Sequence, residues 1–167
     1  MSENRRKILD SNRINDILIR MAHQVFESNF GAKELIFVGI GTKGFELAKR
    51  IAEHLLTIDS SMSVELIKMN IDKAQPIGTI KLKPIPAELE GKDVIIVDDV
   101  LNTGKTLAYA MMPFLEQSVK KIEVIILVDR GHRLFPVSAT FSGYSLPTTL
   151  EEHIEVRLGK SPAVFLY

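Results

Sequence analysis

The sequence contains no cysteine, which excludes disulfides and thiolate metal sites. It has no surplus charge of either sign, because 21 Lys and Arg balance 21 Asp and Glu. Bulk charge therefore gives no argument for nucleic acid or a membrane surface as a partner, although a local basic patch stays open. Long hydrophobic runs are missing too. The longest apolar stretches, such as 122–128 (IEVIILV), are strand-sized and far short of a membrane span. The opening MSENRRKILD lacks the apolar core of a secretory signal. No internal repeat, low-complexity tract or linker stands out. These absences together lead us to expect a soluble cytoplasmic protein with no membrane partner.

The chain has 167 residues, of which 46% are hydrophobic and 25% charged. That is close to the globular average. The length suits a single domain over residues 1–167, enough to bury roughly 70% of the unfolded-state surface.

Apolar spacing predicts a helix over 11–30, with Ile14, Ile17, Leu18, Met21, Ala22, Val25 and Phe26 on one face. Asp10 or Ser11 can cap its start and Gly31 its end. A strand is expected at 34–40, then a GTKG turn, then a helix over 44–57. Strands follow at 64–71, 93–99 and 121–129. Residues 72–92 are rich in Pro and Gly and read as loop with one short strand. A helix over 104–118 is expected to kink at Pro113. Short strands close the chain near 139–144, 153–158 and 163–167. The middle strands are continuous apolar runs alternating with helices. That pattern predicts an α/β fold with a parallel sheet covered on both faces. Ligands in such folds sit beyond the C-terminal strand ends. Three strands end there in residues that carry chemistry: 41–44, 98–106 and 129–133.

The segment VIIVDDVLNTGKT (94–106) holds the strongest signal. A capped strand-to-helix turn, with Thr103 as N-cap, accounts for its turn residues. It does not account for two adjacent carboxylates running into Thr-Gly-Lys-Thr. A nucleotide P-loop fails, because Asp99 stands where that motif needs glycine. A sugar-phosphate site fits better. Thr103, Gly104, Lys105 and Thr106 open a helix whose free N–H groups and dipole favour a monophosphate. Asp98 and Asp99 can accept hydrogen bonds from vicinal ribose hydroxyls.

On these residues the chain resembles the type I phosphoribosyltransferase family, through its motif for phosphoribosyl diphosphate (PRPP). RMAHQVFE, FVGIGTKGFELAKRIAEHL and ILVDRGHRLFPVSATFSGYSLPT are similar to the PyrR group of that family. Members of the group are uracil phosphoribosyltransferases, and many also regulate pyrimidine operons by binding mRNA. The resemblance covers nearly the whole chain apart from 72–92. It implies a Rossmann-like core over about residues 11–129. A small C-terminal hood is implied over about 130–167, joined by the N-terminal segment. It implies that Asp98, Asp99, Val100, Leu101, Asn102, Thr103, Gly104, Lys105 and Thr106 hold the ribose and its 5′-phosphate. Gly41, Thr42, Lys43 and Gly44 are implied as the diphosphate loop. Asp129, Arg130, Gly131 and His132 would line the base pocket. Implied partners are PRPP, a nucleobase (uracil first, a purine second) and the nucleoside monophosphate. Mg²⁺ would come with PRPP rather than in a site made by protein alone. A homodimer or higher assembly is also implied.

The chain departs from the family in two places. The segment MNIDKAQPIGT, where similar enzymes carry a long closing loop, is short and has no arginine. Only Lys73 offers a cation there, so a catalytic role falls to Lys73 beside Asp98 and Asp99, and a sensor without turnover becomes the rival reading. The family's RNA face is thinned as well. Arg20, His23, His132 and Arg133 match it. Ile19, Ser28 and Ser138 replace a threonine and two arginines. Each lost cation removes a phosphate contact, so RNA is disfavoured as a partner. The cluster Arg5, Arg6 and Lys7 reads as a solvated terminus.

Overall fold

A computed structural model describes residues 5–167. Strand β1 (Arg6–Leu9) leads into α1 (Ser11–Ser28), whose first turn is capped by the Asp10 carboxylate accepting from Arg13 N–H at 2.9 Å. Then come β2 (Glu34–Ile40), α2 (Gly41–Ile58), β3 (Ser63–Asn70), β4 (Lys81–Lys83) and β5 (Asp93–Leu101). Helix α3 (Lys105–Leu115) and strands β6 (Lys121–Asp129), β7 (Phe141–Ser145), β8 (Ile154–Arg157) and β9 (Ala163–Leu166) complete the order.

The main sheet runs β4-β3-β2-β5-β6-β7 and is parallel except where β4 pairs antiparallel with β3. Strand side chains alternate between faces, so each central strand feeds two cores. Leu35, Phe37, Ile95, Val97, Ile125 and Leu127 pack against α1 and α2. Ile36, Val38, Val94, Ile96, Val124 and Ile126 pack on the α3 side with Leu107, Ala110 and Phe114. A sheet buried on both faces accounts for the unbroken apolar runs in the sequence. A second, antiparallel sheet, β1-β9-β8, forms the hood and contributes Val156 and Val164 to the α1/α2 core.

Four local expectations change. Residues 5–7 are not a free end: β1 pairs with β9, Arg5 is ion-paired with Glu155, and its guanidinium lies 4.3 Å from the Phe165 ring centre. A four-residue strand is too short to show a period. The GTKG stretch is not a separate turn, because α2 begins at Gly41 directly after β2. The acidic pair lies within β5, which continues to Leu101. Finally, α3 ends at Leu115, two residues past Pro113, so the proline lies in the last turn rather than at a mid-helix kink.

Candidate active site

Strands β3, β2, β5 and β6 are parallel neighbours. The segments that follow them, 71–80, 41–44, 102–106 and 129–137, therefore meet at one edge, where α/β folds bind ligands.

Asp98 and Asp99 are almost fully buried, at 6% and 8% exposure. Being consecutive in a strand, they point to opposite sides. Asp98 shares a small cavity with Lys73, residues 100–107 and Ile126. Asp99 turns towards α2, where its carboxylate lies 3.7 Å from Lys43 Nζ. The Asp99 N–H donates to Asp98 Oδ1 at 2.9 Å, which fixes the first carboxylate. Lys73 Nζ is 3.7 Å from Asp98 Oδ2. Burial pushes the Asp98 carboxyl up to about 7; the Lys73 ammonium works against that rise and the Asp99 carboxylate adds to it.

The backbone on either side of Lys73 is tied by its own short segment. The Asp72 carboxylate accepts from Ala74 N–H at 2.9 Å, and the Thr79 hydroxyl receives the Asp72 N–H at 3.1 Å. The 71–80 stretch is therefore a locally tied loop that presents one ammonium to the acidic pair.

Two helices open towards the same edge. The N-cap of α3 is Gly104 (φ +83°), not Thr103 as the sequence suggested, and the Thr103 hydroxyl accepts from Lys105 N–H at 3.3 Å. A Cβ at Gly104 would lie 2.5 Å from Val137 Cγ2, so the left-handed bend and the close approach both require glycine. The first helical bond is Ala108 N–H to the Gly104 carbonyl. The Thr106 and Leu107 N–H groups precede it and point out of the helix end. Helix α2 likewise starts with no side-chain cap. Gly44 has a packing reason of its own, since a Cβ there would sit 2.5 Å from the Val97 carbonyl. The Thr42 hydroxyl accepts from Lys68 Nζ at 3.1 Å.

Beyond β6, Asp129 Oδ1 accepts from Gly131 N–H at 2.8 Å and Oδ2 from Arg133 at 2.6 Å. The His132 ring is hydrogen-bonded through Nε2 to the Thr148 carbonyl. Arg130 reaches Asn102, Thr148, Thr149 and Glu152. The sequence pointed to residues 129–132 but not to their hood partners at 148–152. Nothing in the spacing marks those partners, because they depend on how the hood folds back. Arg20, matched above to an RNA face, donates to the Ser142 and Gly143 carbonyls at 3.3 and 2.7 Å on the edge strand β7.

Among the described residues no three His, Cys, Asp or Glu side chains gather as a metal site. Two buried carboxylates beside two anion-ready helix starts suit a phosphorylated, hydroxyl-bearing sugar. This edge of the sheet is thus the ligand-binding edge of a doubly wound α/β protein.

Known proteins give that class a family. The sequence pattern of the phosphoribosyl transferase domain matches residues 4–158, and the chain belongs to the type I phosphoribosyltransferase family. Among curated relatives, the bifunctional protein PyrR of Citrifermentans bemidjiense is 39% identical over 160 residues, covering 89% of this chain and 88% of that one. The bifunctional protein PyrR of Chloroflexus aurantiacus is 32% identical over 168 residues, covering 96% and 92%. In fold, the chain is similar to a hypoxanthine phosphoribosyltransferase of Trypanosoma cruzi complexed with the product IMP. The TM-score is 0.76 at 18% identity, over 89% of this chain and 76% of that chain. A hypoxanthine phosphoribosyltransferase of Staphylococcus aureus gives 0.73 at 21% identity, over 86% and 79%. At these identities the likeness concerns the fold alone.

Proposed function

We propose that this protein transfers phosphoribose from PRPP to a nucleobase, with uracil as the base and UMP and diphosphate as products. The observation that carries the reading is the buried Asp98–Asp99 pair set between the starts of α2 and α3. Similarity to proteins named PyrR supports uracil over a purine.

The open N–H groups of α3, with Thr103, Lys105 and Thr106, receive the 5′-phosphate. The carboxylates of Asp98 and Asp99 accept the ribose hydroxyls. They also stabilise the positive charge that builds on the ribose as the C1–diphosphate bond lengthens and a base nitrogen approaches. The start of α2, with Lys43, holds the departing diphosphate. Lys73 lies against Asp98 at 3.7 Å and can swing to the diphosphate when the hydroxyls take its place. Two carboxylates suit Mg²⁺, which takes oxygen ligands, keeps several waters and relies on substrate phosphates. Bound with PRPP, the metal would neutralise charge on the leaving group. Asp98 and Asp99 are the residues that would hold it. Base selection falls to the loop that follows β6, at Asp129, Gly131 and His132. A homodimer in the cytoplasm completes the reading, and sedimentation tests the assembly.

The test is release of diphosphate from PRPP in the presence of Mg²⁺ and uracil, with hypoxanthine and guanine in parallel. Uracil-dependent release supports the reading. Release with a purine alone replaces the base. PRPP binding without release under any condition replaces the enzyme with a sensor.

A further inference from the structure

The phosphate loop and the base-side loop are bonded to each other through main chain and side chains. Arg130 N–H donates to the Leu101 carbonyl at 3.1 Å, and Leu134 and Phe135 N–H both donate to the Thr103 carbonyl at 2.9 and 3.0 Å. Arg133 adds a bond from Nη1 to the Asn102 carbonyl at 2.8 Å. Its remaining bonds, to Asp129 Oδ2 at 2.6 Å and to the Val137 carbonyl at 2.9 Å, stay within the base-side loop.

Arg130 spans three segments. Nη1 donates to Asn102 Oδ1 at 2.9 Å, on the phosphate loop. Nε donates to Thr148 Oγ1 at 2.8 Å, and Nη2 to the Thr149 and Glu152 carbonyls at 3.2 and 2.6 Å, all in the hood. Four of the five N–H groups of a guanidinium are thereby used on protein acceptors. Such a side chain can form one body out of three loops, and it has little capacity left for a ligand.

We infer that Arg130 is a positioning residue for the ribose-phosphate subsite, acting through Asn102, rather than a reader of the base. With Arg133 it locks residues 101–106, 129–137 and 148–152 together. The 5′-phosphate subsite therefore depends on a side chain that belongs to the base-side loop. The inference rests on the phosphoribosyl reading of 98–106. Failure of that reading shows as no binding of any ligand by wild type, whereas a base-reading arginine affects only ligands that carry a base.

The test measures affinity by calorimetry for ribose 5-phosphate, UMP and IMP, with wild type, Arg130→Ala, Arg130→Lys and Asn102→Ala. Amide exchange over 100–104 and 148–152 is followed in the free proteins. Loss of the clamp weakens ribose 5-phosphate and the preferred nucleotide by the same factor, about tenfold, the size of one charge-assisted hydrogen bond. Arg130→Lys recovers part of the loss. Exchange rises in both segments together. Asn102→Ala leaves the hood bonds of Arg130 in place, so it serves if Arg130→Ala does not fold. Weaker nucleotide binding with unchanged ribose 5-phosphate binding would overturn the inference, as would unchanged exchange in 100–104. A loss of melting temperature alone, with affinities intact, would also overturn it. If wild type binds none of the three ligands, the phosphoribosyl reading fails and exchange alone decides the clamp.

Discussion

Replacing Asp98 by asparagine should stabilise the free protein while abolishing its function. The carboxyl is pushed from 3.8 to about 7 chiefly by burial, a shift worth about 4 kcal/mol of differential stability. The sign follows from linkage. Around pH 4 the folded protein carries a neutral Asp98 and bears no ionisation cost. As pH rises the unfolded chain ionises first, so stability falls until the folded carboxyl titrates near 7. The substituted amide keeps an oxygen for the Asp99 N–H, which donates to Asp98 Oδ1 at 2.9 Å, and it never ionises. Urea unfolding of both proteins between about pH 4 and about pH 8 reads the difference. The groups that they share cancel. The variant should match wild type at the acid end and exceed it by up to about 4 kcal/mol at the alkaline end. Parallel curves for the two proteins would refute the reasoning, because Asp98 would then ionise alike in both states. So would a destabilised variant at alkaline pH.

Three further outcomes follow from the same geometry. Lys73→Met removes the cation that opposes the raised pKa of Asp98, so the acid limb of PRPP binding should move to higher pH. Its effect on stability should stay within about 1 kcal/mol, since the lysine side chain is 57% exposed. Gly104→Ala combines a φ of +83° with a Cβ 2.5 Å from Val137 Cγ2. It should cost about 2 kcal/mol or more in denaturant unfolding and weaken ribose 5-phosphate binding. Gly44→Ala places a Cβ 2.5 Å from the Val97 carbonyl, which is backbone and cannot step aside. Helix α2 must lift from β5, so melting temperature and diphosphate affinity should fall together, by about 1–3 kcal/mol in stability.

The parallel core was readable in the sequence because strands buried on both faces must be apolar at every position, as 35–40, 94–97 and 124–128 are. Helices α1 and α2 declared themselves through one-sided apolar spacing. Asp98 and Asp99 were conspicuous because buried carboxylates contradict such a run. Their opposite orientations follow from strand continuation through Leu101, which the turn-like residues 102–104 concealed. Strand β1 was hidden by its brevity and by the preceding Arg5, whose partners, Glu155 and the Phe165 ring, lie at the far end of the chain. The Arg130 network was hidden for the same reason. Its hood acceptors at Thr149 and Glu152 are backbone carbonyls, and no residue type marks a carbonyl that will be used.

In the proposed PRPP site the acidic pair and the two helix starts act together. The most direct measurement is diphosphate release from PRPP with Mg²⁺ and uracil, by wild type and by the Asp98→Asn/Asp99→Asn variant. The expected result is release that requires uracil and is lost in the folded variant. Equal release by both proteins would contradict it, and so would no PRPP binding by wild type.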